Sequence, residues 1–317
     1  MEDLLFSLNA IVPLVLCCAA GWSMRHWGMI SDAFKKDCSN LVFFVTIPCS
    51  IFMSIAQSDF REVFDGKLIL FLFVSNLVLA VLCSVFCHRF IQDRRVAATV
   101  ALDIYRSNFT LLGVPLAINL LGTEGAAPMM LLVCFGNVIC NVFSVIILSR
   151  TEEQEKTGLI REILVSAWSV AKNPMTIASV LGIMVAAFGL PLPLIVSRTA
   201  DSFASMCSGL ALFMLGAQTE LANLRRNWRY TAVTAVFRLL IVPVIAVFIA
   251  IALRFEGNSL VALMIYFASP VGLTCSILAE TMGGDGQLAG ESVLVTTCLS
   301  AFTFTIAIYI FKVLEFI

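Results

Sequence analysis

The chain has 317 residues, 60% hydrophobic and 13% charged, with a mean hydropathy of +0.98 and a net charge of −1. Soluble domains carry about 25% charged residues, so the composition excludes an ordinary soluble protein and describes a multi-pass protein whose solvent is the lipid bilayer. The near-zero net charge offers nothing to nucleic acid, and the eleven cysteines show no metal-ligand spacing. No metal or other cofactor is expected, apart from a coupling ion (Na+ or H+) if transport is ion-driven.

Crossing a bilayer takes about 20 apolar residues, and ten such spans are expected. The first, 4–27, contains Pro13 and follows Met1-Glu2-Asp3, which lacks the basic start of a signal peptide. The second is 33–57 with Pro48, the third 67–90, the fourth 96–121 and the fifth 126–149. A polar connector begins at Arg150. After it, Leu159, Ile160, Ile163, Leu164, Ala167 and Trp168 recur at helical spacing, the mark of an amphipathic helix in the interface. Spans six to ten are 174–190, 199–221, 229–253, 259–282 and 288–313. Of the 20 lysines and arginines, five (Arg61, Lys67, Arg198, Arg254, Lys312) fall on one side of this arrangement, Arg106 and Arg238 fall within spans, and the other 13 lie on the opposite side. Basic residues favour the cytoplasm, so both termini are expected outside the cell membrane (the inner membrane of a bacterium).

Spans 4 and 9 are interrupted. Span 4 carries Ser107-Asn108-Phe109-Thr110 and then Gly113 and Pro115, and span 9 carries Ala268-Ser269-Pro270-Val271. Gly113 weakens a helix and Pro115 removes a donor, so both are read as helix-breaking. Asn108 and Ser269 are N-cap residue types, and Pro270 suits a first helical position. Paired interrupted spans are the best sequence pointer to a transporter's substrate site.

The two halves fall into register at an offset of 161. Pro13 meets Pro174, Gly21 meets Gly182, Gly28 meets Gly189, and Phe52-Met53-Ser54-Ile55-Ala56-Gln57 meets Phe213-Met214-Leu215-Gly216-Ala217-Gln218. The same offset sets Gly122 against Gly283 and Asn108 against Ser269. Five spans per copy is odd, so the second copy enters the membrane inverted. The expected organisation is repeat 1 over 1–150, a cytoplasmic connector over 151–171, and repeat 2 over 172–317.

The segments Leu41-Val-Phe-Phe-Val-Thr-Ile-Pro48, Ser107-Asn108 … Gly113-Val114-Pro115, Asn173-Pro174, Leu212 to Ala217, Arg238 … Pro243 and Ala268-Ser269-Pro270 together resemble the auxin efflux carrier family, on its bacterial branch. The resemblance covers essentially the whole chain. It implies an all-α membrane fold of ten helices in two inverted five-helix repeats, similar to sodium–proton antiporters and bile-acid symporters, with broken helices 4 and 9 crossed. It implies a scaffold of spans 1, 2, 6 and 7, a moving unit of spans 3–5 and 8–10, and a homodimer through the scaffold. Plant relatives with a long loop export the auxin anion. The short loop here is like that of bacterial members associated with small organic anions such as malonate or malate, so substrate identity does not carry over.

The expected function is a secondary transporter or facilitator for a small organic anion, working by an elevator-type mechanism. The alternative is a sodium- or proton-coupled antiporter of the same fold, which asks for a carboxylate at the crossing. A receptor or membrane-embedded enzyme is the third class; no nucleophile or metal constellation supports an enzyme, and no GxxxxGK[ST] loop is present. The substrate's carboxylate is expected at two converging helix N-termini, around Asn108, Phe109, Thr110, Ser269, Pro270 and Val271, with Asn108 and Ser269 each capping a half-helix. Charges inside spans are functional candidates. Asp103 and Arg106, spaced i, i+3, read either as an ion pair or as an Arg106 that faces the cavity. Arg238 either braces span 9 carbonyls or compensates a substrate. Asn137 and Asn141 either line the crossing or tie helices together. Glu280 and Glu291 are expected near the inner surface, in water.

Overall fold

The computed structural model describes residues 16–57, 65–149, 172, 174–218, 221–314 and 316. The start of the first span and the amphipathic segment 159–168 lie outside these. The described residues form helices, in order: α1 (16–26), α2 (Asp32–Leu41), α3 (Ile47–Ala56), α4 (Gly66–Phe90), α5 (Arg94–Tyr105), α6 (Val114–Gly125), α7 (Ala127–Leu148), α8 (Pro174–Phe188), α9 (Leu194–Gln218), α10 (Leu221–Val236), α11 (Val242–Ala252), α12 (Gly257–Ala268), α13 (Cys275–Thr281) and α14 (Gly286–Val313). Side-chain caps set several starts. The Ser31 hydroxyl accepts from Phe34 N, and Asp65, Asp93 and Asp285 each accept first-turn N–H groups of α4, α5 and α14.

Among the described residues six stretches are long and apolar enough to cross a membrane: Asp32–Met53, Gly66–Phe90, Ala127–Leu148, Leu194–Ala217, Asn227–Ala252 and Gly286–Val313. The interrupted spans 4 and 9 correspond to α5 with α6 and to α12 with α13, whose pieces are individually shorter. The apolar stretch Asn227–Ala252 matches the expected span 8 of 229–253 within two residues, while its helix starts further out, at Leu221.

Three prolines shape the helices in one way. Pro48, Pro115 and Pro243 each stand second in their helix, immediately after a five-residue π turn: Val42–Thr46, Phe109–Gly113 and Phe237–Ile241. A proline inside a helix lacks its N–H and collides with the carbonyl four residues back. The wider π turn relieves the collision and keeps the helix running. The expectation that Gly113 and Pro115 mark the break is therefore corrected: they lie within the helical second arm of span 4, and the break lies earlier, at Arg106–Asn108. Gly113 serves a close approach instead, since a Cβ there would lie 2.8 Å from Met129 Cε and 3.2 Å from Ile265 Cγ2 of α12.

The helices pack in two groups. In one, α3 lies against α8 and α9, and α2 also touches α9. Gly21 of α1 approaches the Phe213 carbonyl of α9, and Gly216 of α9 approaches Cys18 of α1, so those two helices meet backbone to backbone. In the other, α4 packs on α5 and α7, α12 on α7 and α11, and α14 on α5, α10 and α13. The groups touch along a narrower seam, which includes Asn141 Nδ2 donating to Ser179 Oγ at 3.4 Å and Ser39 Oγ donating to Glu280 Oε2 at 3.2 Å. Glu291, expected in water, is 1% exposed: it sits one turn into the packed start of α14.

Candidate functional site

The two interrupted spans cross as short extended segments. Ser107 and Val271 form an antiparallel bridge, Asn108 N donates to Pro270 O at 2.7 Å, and Gly272 N donates to Arg106 O at 3.0 Å. Backbone that leaves a helix at membrane depth must find partners in protein or water, and here each segment supplies them to the other. Ser107 Oγ adds a bond to Tyr266 O at 3.1 Å, and Thr296 Oγ1 of α14 accepts from Val271 N at 3.2 Å.

The crossing leaves the last carbonyls of α5 and α12 without helical partners. Arg238, in the π turn before α11 and 1% exposed, supplies them. Its Nε donates to Ser269 O, its Nη1 to Ile104 O and Tyr105 O, and its Nη2 to Tyr266 O and Phe267 O, at 2.5–3.5 Å. Five N–H groups on five carbonyls exhaust a guanidinium. The positive charge also sits at two helix C-termini, where the dipoles favour it. Of its two readings, Arg238 is the brace.

Arg106 is placed differently. It is the C-cap residue of α5, 7% exposed, with Nε donating to Thr274 Oγ1 at 3.0 Å and Nη1 to Ser144 Oγ at 3.1 Å. It makes no ion pair with Asp103 or with any other carboxylate among the described residues. Its side chain lines a cavity of about 440 Å³ on the seam between the two groups. Ile47, Ser50 and Ile51 of α3 and Cys207 and Ala211 of α9 form one wall. Ser107, Asn108, Phe109, Thr110 and Val114, together with Met130, Val133 and Asn137 of α7 and Gly272, Leu273 and Thr274, form the other.

Within this cavity Asn108 is 8% exposed and its Nδ2 has no hydrogen-bond partner among the described residues. Phe109 lies against Tyr266, ring centroids 4.4 Å apart, and Gly136 leaves room for both rings: a Cβ there would fall 2.9 Å from Tyr266 Cε2. Such a pair contributes about 0.5–1.5 kcal/mol beyond its buried area. Thr110 is exposed to the cavity and donates to Asn137 Oδ1 at 3.4 Å.

The sequence-chosen residues thus divide. Asn108, Phe109, Thr110, Arg106 and Asn137 converge on the cavity. Ser269, Pro270 and Val271 are buried behind it, and Gly272, Leu273 and Thr274 take their place in the wall. Both capping roles are corrected. Asn108 makes no side-chain cap bond, and the hydroxyl of Ser269 bonds back to Ile265 O at 2.7 Å, closing α12 rather than opening α13. Serine readily makes such a bond four residues back, which the N-cap reading left out. Asn141 is wholly buried and turned toward α8 through Ser179, so of the two asparagines only Asn137 reaches the cavity. Asp103 is wholly buried behind Arg106. Thr274, Ser144, Ser50 and Cys207 went unnoticed because small hydroxyls and thiols in apolar runs carry no positional signal.

Residues 6–308 match the family described as membrane transport protein. The chain is 19% identical over 300 residues to an uncharacterized transporter of Methanocaldococcus jannaschii, covering 92% of this chain and 95% of that one. An uncharacterized transporter of Methanothermobacter thermautotrophicus is 22% identical over 301 residues, covering 93% and 95%. A Rhizobium meliloti protein named "Putative malonate transporter" is 22% identical over 280 residues, covering 86% of each chain.

Proposed function

The chain belongs to the membrane transport protein family, which holds the auxin efflux carriers, and from that premise we propose that it is a secondary transporter or facilitator for a small organic anion, not an enzyme, with the substrate's carboxylate held between Arg106 and Asn108. The observation that carries this reading is Arg106 itself: a guanidinium on a cavity wall with two N–H groups engaged by hydroxyls and no carboxylate partner. A carboxylate would complete it in the two-pronged geometry that guanidinium favours. The unpartnered side-chain Nδ2 of Asn108, two residues further along the same segment, adds a donor. Among the described residues no aspartate or glutamate lines the cavity, which weighs against a cation antiporter that carries its ion there. The name of the Rhizobium relative makes malonate the first anion to try.

The proposed architecture is two inverted five-span repeats with spans 4 and 9 crossed, repeat 1 over 1–150 and repeat 2 over 172–317. Left-handed glycines support it: Gly28 and Gly189, and likewise Gly122 and Gly283, stand 161 positions apart with φ of 62–82°. Helices α5 and α12, both 12 residues long, are 163 apart at start and end. The pairing therefore slips by two residues at the crossing and returns to 161 by Gly122. In the proposed mechanism α4–α7 and α10–α14 move as a unit against α1–α3, α8 and α9, carrying the cavity wall that holds Arg106 past the wall that holds Ile47 and Cys207. The protein resides in the cell membrane with both termini outside, as a homodimer through the scaffold of α1–α3, α8 and α9.

The test is uptake of labelled mono- and dicarboxylates, malonate included, into proteoliposomes, with and without sodium and pH gradients. Saturable uptake of at least one anion is expected. Uptake of none of them, by monodisperse and oriented protein, would overturn the reading. A Ser39→Cys, Glu280→Cys pair, cross-linked across the seam, should stop transport reversibly. Transport that continues with the pair fully cross-linked would contradict the elevator.

A further inference from the structure

Asp103 lies on α5 one turn before Arg106, 0% exposed, and neither carboxylate oxygen has a hydrogen-bond partner among the described residues. From α14 the Ser292 hydroxyl faces it, also 0% exposed and also without a bond. The two groups face one another without closing an aligned bond. The titratable neighbours from the surrounding elements are Cys87 of α4, Cys275 of α13 and Asp285 at the start of α14, and Glu291 adjoins Ser292 on α14. None of these carries a positive charge.

None of the guanidiniums of the region bonds Asp103. Arg106 bonds Thr274 and Ser144, Arg238 bonds five carbonyls, and Arg95, at the start of α5, bonds Gly283 O and Gly284 O. A lone buried carboxylate charge costs several kcal/mol, so a functional group at this depth needs a cation. An oxygen pair opposite a free hydroxyl offers hard oxygen donors to a small one.

We propose that Asp103 and Ser292 form a site for a monovalent cation, a proton or a sodium ion, that rides in the mobile unit and couples to the anion at Arg106. This deepens, and rests on, the proposed transport function. The coupling route is short. Asp103 stands one turn, about 5 Å of helix, before Arg106. Ser292 stands one turn before Thr296, whose hydroxyl donates to Ser292 O at 2.7 Å and accepts from Val271 N of the crossing. The two residues that hold the cation therefore sit on the two elements that fix the anion site.

The test uses purified full-length protein and no anionic substrate, so that its failure is distinguishable from failure of the anion site. The melting temperature is followed in sodium chloride against choline chloride at fixed ionic strength, and across pH 5.5–8.5. For a sodium site, sodium should raise the melting temperature of the wild type and not of Asp103→Asn. For a proton site, sodium should have no effect, and the wild type's pH dependence should flatten in Asp103→Asn. Ser292→Ala, which keeps the charge, should raise the half-saturating sodium concentration by about tenfold, the loss of one ligand worth about 1.4 kcal/mol; at a proton site it should instead lower the half-saturating proton concentration, because a hydroxyl that donates to the carboxylate favours the charged form. An Asp103→Asn protein that responds to sodium and pH as the wild type does overturns the proposal. If Asp103→Asn does not yield monodisperse protein, Ser292→Ala decides, and an unchanged half-saturation overturns it.

Discussion

Two arginines lie a few residues from the same crossing, and both are buried. Arg238 spends all five N–H groups on carbonyls that the broken helices leave behind. Arg106 spends two on hydroxyls and presents the rest to a cavity. Exposure barely separates them, at 1% and 7%. What separates them is the completeness of their partners: one charge is a structural tie between two helix ends, and the other, in the proposed function, awaits a counter-charge. A buried cation with every donor satisfied argues for stability, and one with donors to spare beside a cavity argues for a ligand.

Substitutions can break this contrast or sharpen it. The largest effect is expected at Arg238→Met, which fills much of the volume and deletes all five donors. Each carbonyl left unsatisfied in the interior costs about 1–3 kcal/mol, and the sum rivals the 5–15 kcal/mol that holds a typical domain folded. Size-exclusion profiles of detergent extracts should show little or no monodisperse protein. A well-behaved variant with wild-type melting temperature would show that Arg238 is not the tie.

Asn108→Asp should leave the fold intact, because the Asn108 side chain makes no cap bond that the protein would miss. It places a negative charge where the substrate's carboxylate is proposed to sit. Anion affinity should fall by about tenfold or more, the equivalent of at least 1.4 kcal/mol. Near-normal affinity in monodisperse protein would move the binding site away from Asn108.

The smallest effect is expected at Thr110→Ala. The Thr110 bond to Asn137 is long, at 3.4 Å, and open to the cavity, and a bond of this kind contributes about 0.5–1.5 kcal/mol. Substrate affinity should weaken by no more than a few-fold, with unchanged melting temperature. A loss as large as that at Asn108 would make Thr110 a principal ligand and redraw the site.

Much of this was legible in the sequence, for identifiable reasons. Apolar runs fix where helices cross lipid, and the observed ends of α4 and α7 fall within a residue of the expected spans. The interruption at Ser107-Asn108 and its partner at Ser269-Pro270 could be read because polar and breaking residues are conspicuous in apolar surroundings. What could not be read was the local answer to each interruption. Pro115, an apparent breaker, is absorbed by a π turn, as are Pro48 and Pro243. Ser269, an apparent N-cap, bonds backward. Those choices depend on tertiary neighbours: Arg238 and Thr296 take up the backbone groups that caps would otherwise have served. Beside Arg106 stands Thr274, not Ser269, accepting from its Nε at 3.0 Å.

The central claim is that Arg106 waits for a carboxylate, and the most direct measurement is malonate-dependent stabilisation and uptake, compared in wild type and Arg106→Gln, with a panel of monocarboxylates beside malonate. The substitution removes the charge and keeps an amide near the position of Nε, able to reach Thr274. The account predicts a monodisperse Arg106→Gln protein with a melting temperature close to wild type, no anion-dependent stabilisation, and uptake reduced at least about tenfold. An Arg106→Gln protein that binds and carries the same anion as well as the wild type would contradict it.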